Sequence, residues 1–151
     1  MKKIIYLLII ALGFSLSFKT PDASEASISI IVNKENPIST LTTGEVKLYW
    51  LRKIKKRWPE INKNIKPADR KSNSPEQAAF YKKVLNMTGT DVEAYFTQKQ
   101  YENAEKPQDK FANDIAIIDF VSEEVGAVGY VNTSSLSGDY KNKVKVICQI
   151  E

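Results

Sequence analysis

The amino-acid sequence predicts a single α/β domain in which helices flank a small mixed sheet. Short runs of β-branched residues alternate with longer segments whose apolar residues recur at helical spacing. At several points a Ser or Thr is followed three positions later by a Glu or Gln, which marks the start of a helix. No internal repeat or low-complexity linker interrupts this order. Alternating strands and helices are typical of one domain with helices packed on a sheet.

The first half of this domain contains two predicted strands and one predicted helix. The run Ile28–Asn33 is short and mostly β-branched, which is typical of a largely buried strand. After a turn-rich stretch, Thr42 and Glu45 form a capping box, so a helix should begin there and run to about Leu51. A second strand is predicted at about residues 65–68.

Two further helix starts follow. Ser74 precedes Pro75 and is followed three residues later by Gln77, and this is the clearest helix start in the chain. Thr90 and Glu93 have the spacing of a third capping box. We therefore expect two successive helices, one beginning after Ser74 and one after Thr90.

The last third of the chain is predicted to contain one helix and two strands. A polar loop at residues 103–110 precedes a predicted helix at about 113–124. Its buried side should consist of four apolar residues: Ile115, Ile118, Phe120 and Val121. Residues 127–131 and 143–150 should form strands, the second with enough alternation to bury Cys148 together with Val144 and Val146.

The first 26 residues are expected to lie outside the domain. Two lysines directly after Met1 precede an apolar run at residues 4–18, which is shorter than the roughly 20 residues that a membrane-spanning helix needs. A short positive segment followed by such a run is typical of a secretory signal peptide. We expect a signal peptide at residues 1–26 and one periplasmic domain at 27–151, with the cleavage position open and an uncleaved anchor as the alternative.

The composition limits the kinds of catalytic or metal site that this chain can form. The chain has 22 Lys or Arg, 18 Asp or Glu, one Cys and no His, so His-dependent catalytic triads and His metal sites are excluded. A single Cys148 excludes an internal disulfide and a Cys-rich zinc site. The predicted helix at 113–124 carries four acidic residues: Asp114, Asp119, Glu123 and Glu124. Their spacing is typical of a solvated helix face. We therefore expect that the chain is not an enzyme and binds no metal or cofactor.

Four local strings occur in an order that points to a family. They are the strand ending at Asn33 before a Pro-containing loop, the 41–56 segment with the following Trp58, Asp69-Arg70 before a Ser-capped helix, and Gly-Ala-Val-Gly-Tyr-Val at residues 126–131. In this order they resemble one lobe of the periplasmic phosphate-binding proteins of ABC transporters, a branch of the type II periplasmic binding protein fold. The resemblance covers residues 31–131 and implies a single-lobe relative.

The resemblance also implies a ligand site. In that family an Arg, followed after a short loop by Ser-Gly-Thr at a helix N-terminus, binds the phosphate. Arg70 matches the Arg and Ser74 matches the Ser, and the resemblance therefore implies a phosphate or similar oxyanion held by Arg70, Ser72, Asn73 and Ser74. Backbone N–H groups at a helix N-terminus and a charge-assisted Arg contact suit such an anion on physical grounds.

Two positions of the motif depart from the family. Pro75 replaces the Gly and has no N–H to donate, while Glu76 replaces the Thr and brings a carboxylate that would repel a phosphate. The alternative interpretation is a well-capped helix without a ligand, since Pro and Glu are favourable first-turn residues. Arg70 would then form only a surface ion pair with Asp69 or Glu76.

A dense run of cations follows the first predicted helix and lies beside Tyr49, Trp50 and Trp58. We call five of its residues the basic patch: Arg52, Lys53, Lys55, Lys56 and Arg57. Such a patch attracts anionic headgroups or an acidic protein. The alternative is a solvated helix end whose neighbouring aromatic residues pack in the core. In an exported protein no nucleic-acid partner is expected.

From these observations we expect an exported, non-catalytic protein that binds phosphate or a similar oxyanion. A single lobe cannot enclose an anion between two walls. We therefore expect that two copies pair, or that the binding is weak, or that the lobe has another partner such as an ABC permease or an envelope protein. The alternative is a protein- or envelope-interaction module that has kept the lobe and lost the ligand.

Overall fold

The computed structural model describes residues 26–53, 56–71 and 73–151. Almost all of the predicted signal peptide, together with Lys55 and Ser72, therefore lies outside the described residues. Within the described ranges, no helix has the length and apolar character needed to cross a membrane.

The described residues form one mixed five-stranded sheet. Its strands are β1 (Ile28–Asn33), β2 (Lys66–Arg70), β3 (Asp109–Phe111), β4 (Ala127–Asn132) and β5 (Val144–Ile150). The spatial order is β3-β2-β4-β1-β5, with β2 parallel to β3 and β4, and β1 antiparallel to β4 and β5. The predicted mixed sheet is thus confirmed, and the carboxyl ends of β2, β3 and β4 meet at one edge of it.

Helices cover both faces of this sheet. They are α1 (Thr43–Trp50), α2 (Pro75–Phe80), α3 (Gly89–Asn103) and α4 (Asp114–Glu123). A π-helical turn at Tyr81–Leu85 continues α2, and two 3₁₀ turns lie at Thr133–Ser135 and Gly138–Asn142. Helices α1 to α3 contribute to one hydrophobic cluster, whereas α4 contributes to the other cluster on the opposite face.

Two of the three predicted caps are correct. Thr42 and Glu45 form a complete capping box, and the Ser74 hydroxyl accepts a hydrogen bond of 3.1 Å from the Gln77 N–H. The third was placed two residues too late, because α3 is capped by Thr88 and Asp91. Both Thr residues have an acid three positions on, and the helix starts at the earlier one, so Thr90 lies inside its first turn.

Aromatic side chains dominate the cluster on the α1–α3 face. Trp50, Trp58, Phe80 and Tyr130 are fully buried. Phe80 stacks on Tyr130 with ring centroids 4.2 Å apart, and the Trp58 indole N–H donates to the Gly126 carbonyl at 2.9 Å. The tryptophans beside the basic patch therefore belong to the core.

The buried side of α4 differs from the prediction. Ile117, Ile118 and Val121 are buried, whereas Ile115 is 46% exposed and Phe120 is half-buried. Gly129 in β4 permits Ile117 to pack against the sheet, because a Cβ at that position would lie 2.6 Å from the Ile117 Cγ2. The side chain of Ile117 thus fills the space that the glycine leaves.

Three strand predictions also need correction. Strand β2 extends to Arg70, and β3 lies partly in the stretch predicted as a polar loop. In β5, Val146 is exposed and Cys148 is half-buried, so the predicted alternation fails. A shift in the β1–β5 register between Ile30 and Ile31 accounts for the break.

Candidate functional site

The carboxyl ends of the parallel strands bring several polar groups together. β2 ends at Arg70, β4 ends at Asn132, and the helices that begin at this edge are capped by Ser74 and Asn113. In open α/β sheets, ligands bind in the crevice outside the carboxyl ends of the strands. The candidate site therefore lies at this edge.

Asp69 lies on the α2 face of β2 and is fully buried. Its carboxylate accepts hydrogen bonds from the hydroxyls of Tyr81 and Tyr130, both at 2.6 Å, and from the Arg70 N–H at 2.8 Å. The Gln77 amide adds a longer contact of 3.4 Å. Every one of these donors is neutral, so hydrogen bonds alone satisfy this buried charge.

The π-helical turn presents the Tyr81 hydroxyl to Asp69. The Tyr81 carbonyl accepts the N–H groups of Asn86 and Met87, which widens the helix at this point. Burial and then the charge of Asp69 raise the pKa of Tyr81 and of Tyr130. Both hydroxyls therefore keep their protons and remain donors.

Arg70 lies on the other face of β2, because successive side chains of a strand alternate. It is buried, and its guanidinium forms an ion pair with Asp114 at the start of α4. Asp114 also accepts from the Ser135 hydroxyl at 2.7 Å and from the Asn132 N–H at 3.2 Å. The ion-pair partner of the buried Arg70 is thus Asp114, 44 residues along the chain, and not Asp69 at the surface.

A second carboxylate lies near Arg70. Partial burial acts to raise the pKa of Glu76, but its own N–H, the Ser74 hydroxyl and the charge of Arg70 outweigh burial and lower it. The charge of Arg70 is therefore compensated by two carboxylates of the chain itself, Asp114 and Glu76. The Arg70 Nε is buried without a hydrogen-bond partner among the described residues.

An open cleft of about 510 Å³ lies on the Asp69 side of this edge. Of the predicted ligand residues, Asn73 and Ser74 line it, whereas Arg70 does not and Ser72 lies outside the described residues. Lys71, which the sequence places in the same loop as a source of positive charge, also lines the cleft. Five further lining residues were not predicted: Gln77, Tyr81, Thr90, Glu93 and Lys110. Gln77 and Tyr81 lie one helical turn apart after the Ser74 cap, and this spacing could have indicated that they share a face near the loop. No sequence pattern indicated Lys110.

The basic patch has internal partners. Lys56 pairs with Glu105 at 2.9 Å, and Arg52 approaches the same carboxylate at 3.8 Å. Lys53 lies over the Tyr95 ring at 5.7 Å, and Arg57 donates to Asn62 at 3.3 Å. Lys55 lies outside the described residues. Arg52, Lys53, Lys56 and Arg57 thus each interact with a group of the same molecule.

Metal-ligating side chains do not cluster in the described ranges. No group of three or more His, Cys, Asp or Glu side chains there could hold a metal ion. The half-buried Cys148 is a poor thiolate ligand, because burial raises its pKa.

Comparison with known proteins gives similarity in structure but not in sequence. No protein-family model matches the chain, and no curated protein matches it at significant similarity. An ABC-type phosphate transport receptor from Vibrio cholerae superimposes with a TM-score of 0.60 and 20% identity, over 81% of this chain and 46% of the receptor. PstS from Borrelia burgdorferi gives a TM-score of 0.56 and 18% identity, over 81% of this chain and 47% of PstS.

The fold is that of one lobe of a phosphate-binding protein. The chain spans less than half the length of the solved proteins it resembles. At identities this low the comparison shows the fold alone. It confirms the predicted single-lobe resemblance, and the ligand must be argued from the residues of the site.

Proposed function

We propose that this chain is an exported, non-catalytic binding protein that holds phosphate or a similar oxyanion at the carboxyl end of β2. One observation carries the proposal: Lys71 and Lys110 line the same cleft as Asn73 and Ser74. Neither lysine has an ion-pair partner among the described residues. Two uncompensated cations beside polar donors favour an anionic ligand.

The roles of the four predicted ligand residues follow from their positions. Asn73 and Ser74 contact the anion directly, and Ser72 between them and Arg70 stays part of the proposed loop. Arg70 has its charge compensated by Asp114 and Glu76, so we assign it to holding the edge of β2 against α4. The cations that contact the ligand are then Lys71 and Lys110.

Isothermal titration of the purified protein with phosphate and with sulfate tests the proposal. We expect saturable heat with phosphate, and affinity lower by about tenfold in Lys71→Gln and in Lys110→Gln, because each variant removes one charge-assisted contact. Lys141→Gln is the matched control, since Lys141 is exposed in the Gly138–Asn142 turn and does not line the cleft. Absence of heat at millimolar phosphate and sulfate would refute the proposal.

A second candidate is the protein- or envelope-interaction module that has lost its ligand. The compensation of Arg70 by two carboxylates favours it, because the residue matched to the family's Arg carries no free charge. A pull-down from membranes should then retain partners that are lost when the exposed Lys53, Lys56 and Arg57 are changed to Gln. If the variant with these three changes still binds phosphate and the pull-down recovers no partner, the result favours the oxyanion-binding function.

A further inference from the structure

The cleft beside Asn73 and Ser74 is larger than an inorganic oxyanion requires. Its volume of about 510 Å³ lies within the range of roughly 300–1,000 Å³ that small organic ligands occupy. Its lining residues come from the end of β2, from β3, from α2 with the following turn, and from the start of α3. A ligand that fills the cleft must therefore carry more than a phosphate.

The charges around the cleft are separated by sign. Lys71 and Lys110 lie on the strand side, where the Lys71 N–H donates to the Phe111 carbonyl at 2.8 Å and ties the end of β2 to β3. Glu93 lies on α3, and among the described residues it forms no ion pair. The site thus offers two cations to one end of a ligand and an anion to the other.

A buried carboxylate behind the floor of the cleft adds negative charge. Gln77 and Tyr81 form this floor, and behind them the buried Asp69 carboxylate has only neutral donors. A carboxylate without a cationic partner produces a negative potential in its surroundings. A cation in the cleft is favoured near Gln77 and Tyr81.

One polar atom at the floor of the cleft has no protein partner. Gln77 is only 6% exposed, and its Nε2 donates to Asp69, to the Arg70 carbonyl at 3.1 Å and to the Tyr81 oxygen at 3.2 Å. Its Oε1 accepts no hydrogen bond from any described residue. Because Gln77 lines the cleft, this oxygen is free to accept a hydrogen bond from a ligand there.

We propose that the cleft binds a phosphate ester that carries a primary amine. The phosphate lies between Lys71 and Lys110, and the ammonium group donates to the Glu93 carboxylate and to the Gln77 Oε1. An ammonium group has three donors, which allows it to serve both acceptors at once. The phosphate half of this inference rests on the proposed oxyanion binding; the amine half rests on Glu93, Gln77 and Asp69.

Titration with three probes tests the amine half directly. O-phosphoethanolamine has the phosphate and the amine, ethyl phosphate has the same phosphate without the amine, and inorganic phosphate has neither carbon nor amine. We expect phosphoethanolamine to bind about tenfold tighter than ethyl phosphate, the gain of one charge-assisted hydrogen bond. Glycerophosphoethanolamine, a diester, distinguishes a lipid headgroup from a soluble monoester as the source of the ligand.

The variants separate the two halves of the ligand. Glu93→Gln should remove the preference for phosphoethanolamine and leave the affinity for ethyl phosphate unchanged. Lys110→Gln should weaken both ligands by a similar factor. Glu60→Gln is the matched control, because Glu60 is exposed and does not line the cleft. Thermal unfolding of each variant checks that it is folded, as expected for exposed positions.

Each outcome decides a different point. Equal affinity for phosphoethanolamine and ethyl phosphate, or a preference that survives Glu93→Gln, would overturn the amine half. Binding of inorganic phosphate without any such preference would overturn this inference and leave the proposed oxyanion function standing. If none of the probes binds at millimolar concentration, both proposals fail.

Discussion

Asp69 and Arg70 are neighbours in β2, and the two sides of the strand accommodate a buried charge differently. On the side of α2, Asp69 is surrounded by the neutral hydroxyls of Tyr81 and Tyr130 and by an amide. On the side of α4, Arg70 meets the opposite charge of Asp114. The first arrangement leaves a net negative charge beside the cleft, whereas the second is compensated. The cleft that Asn73 and Ser74 line lies on the side of Asp69.

The largest expected effect comes from removing the charge on that side. Asp69→Ala leaves the Tyr81 and Tyr130 hydroxyls buried without an acceptor, so we expect the free energy of unfolding to fall by about 4 kcal/mol. Urea denaturation measures the loss. Asp119→Ala, which removes only a solvent-accessible pair with Lys143, should cost no more than about 1 kcal/mol. Similar losses in the two variants would contradict the structural role of Asp69.

On the side of Arg70, removing one charge of the ion pair should destabilise the protein more than removing both charges. Arg70→Met leaves Asp114 buried without its cation and should cost about 3 kcal/mol. The double change Arg70→Met with Asp114→Asn removes both charges and should regain most of this, because the amide oxygen can still accept from Ser135 and Asn132. Urea denaturation of the single and double variants measures the coupling, and strictly additive losses would show that the ion pair is not the cause.

The smallest effect is the acid dependence of Glu76. The pKa of its carboxyl in the folded protein is lowered from its ordinary value of 4.5. Its stabilisation is therefore present above that value and is lost as the pH falls through the folded-state pKa. At pH 7 we expect Glu76→Gln to cost about 0.5 kcal/mol, and at pH 2 nothing. Unfolding curves at both pH values check this, and an equal cost at each would contradict it.

The starts of α1 and α2 could be predicted from the sequence. Thr42 and Ser74 cap helices as predicted, because a cap depends on residues only three positions apart. The same local signal failed at Thr90, since Thr88 fits the pattern equally well and local spacing cannot rank the two. Strand β3 was missed because three residues at the edge of a sheet, two of them charged, have no apolar periodicity.

The site was predictable only in part. Asn73 and Ser74 follow from the resemblance, but the ion pair between Arg70 and Asp114 joins residues 44 positions apart, which only the fold brings together. The place of Lys110 in the cleft depends on the parallel pairing of β2 with β3, a long-range contact. The sequence points to Asn73 and Ser74, whereas only the tertiary structure shows that they line a cleft on the Asp69 side of β2.

The widened turn at Tyr81–Leu85 holds one residue more than regular α geometry would hold. Deleting the exposed Lys82 should therefore return the turn to regular α geometry and leave the two halves of the helix close to their present orientation. Deleting the exposed Ala78 in α2 has no such compensation and would rotate Gln77 by about 100° relative to Val84 and Leu85. Because Val84 and Leu85 are anchored in the core, Gln77 would then turn away from Asp69.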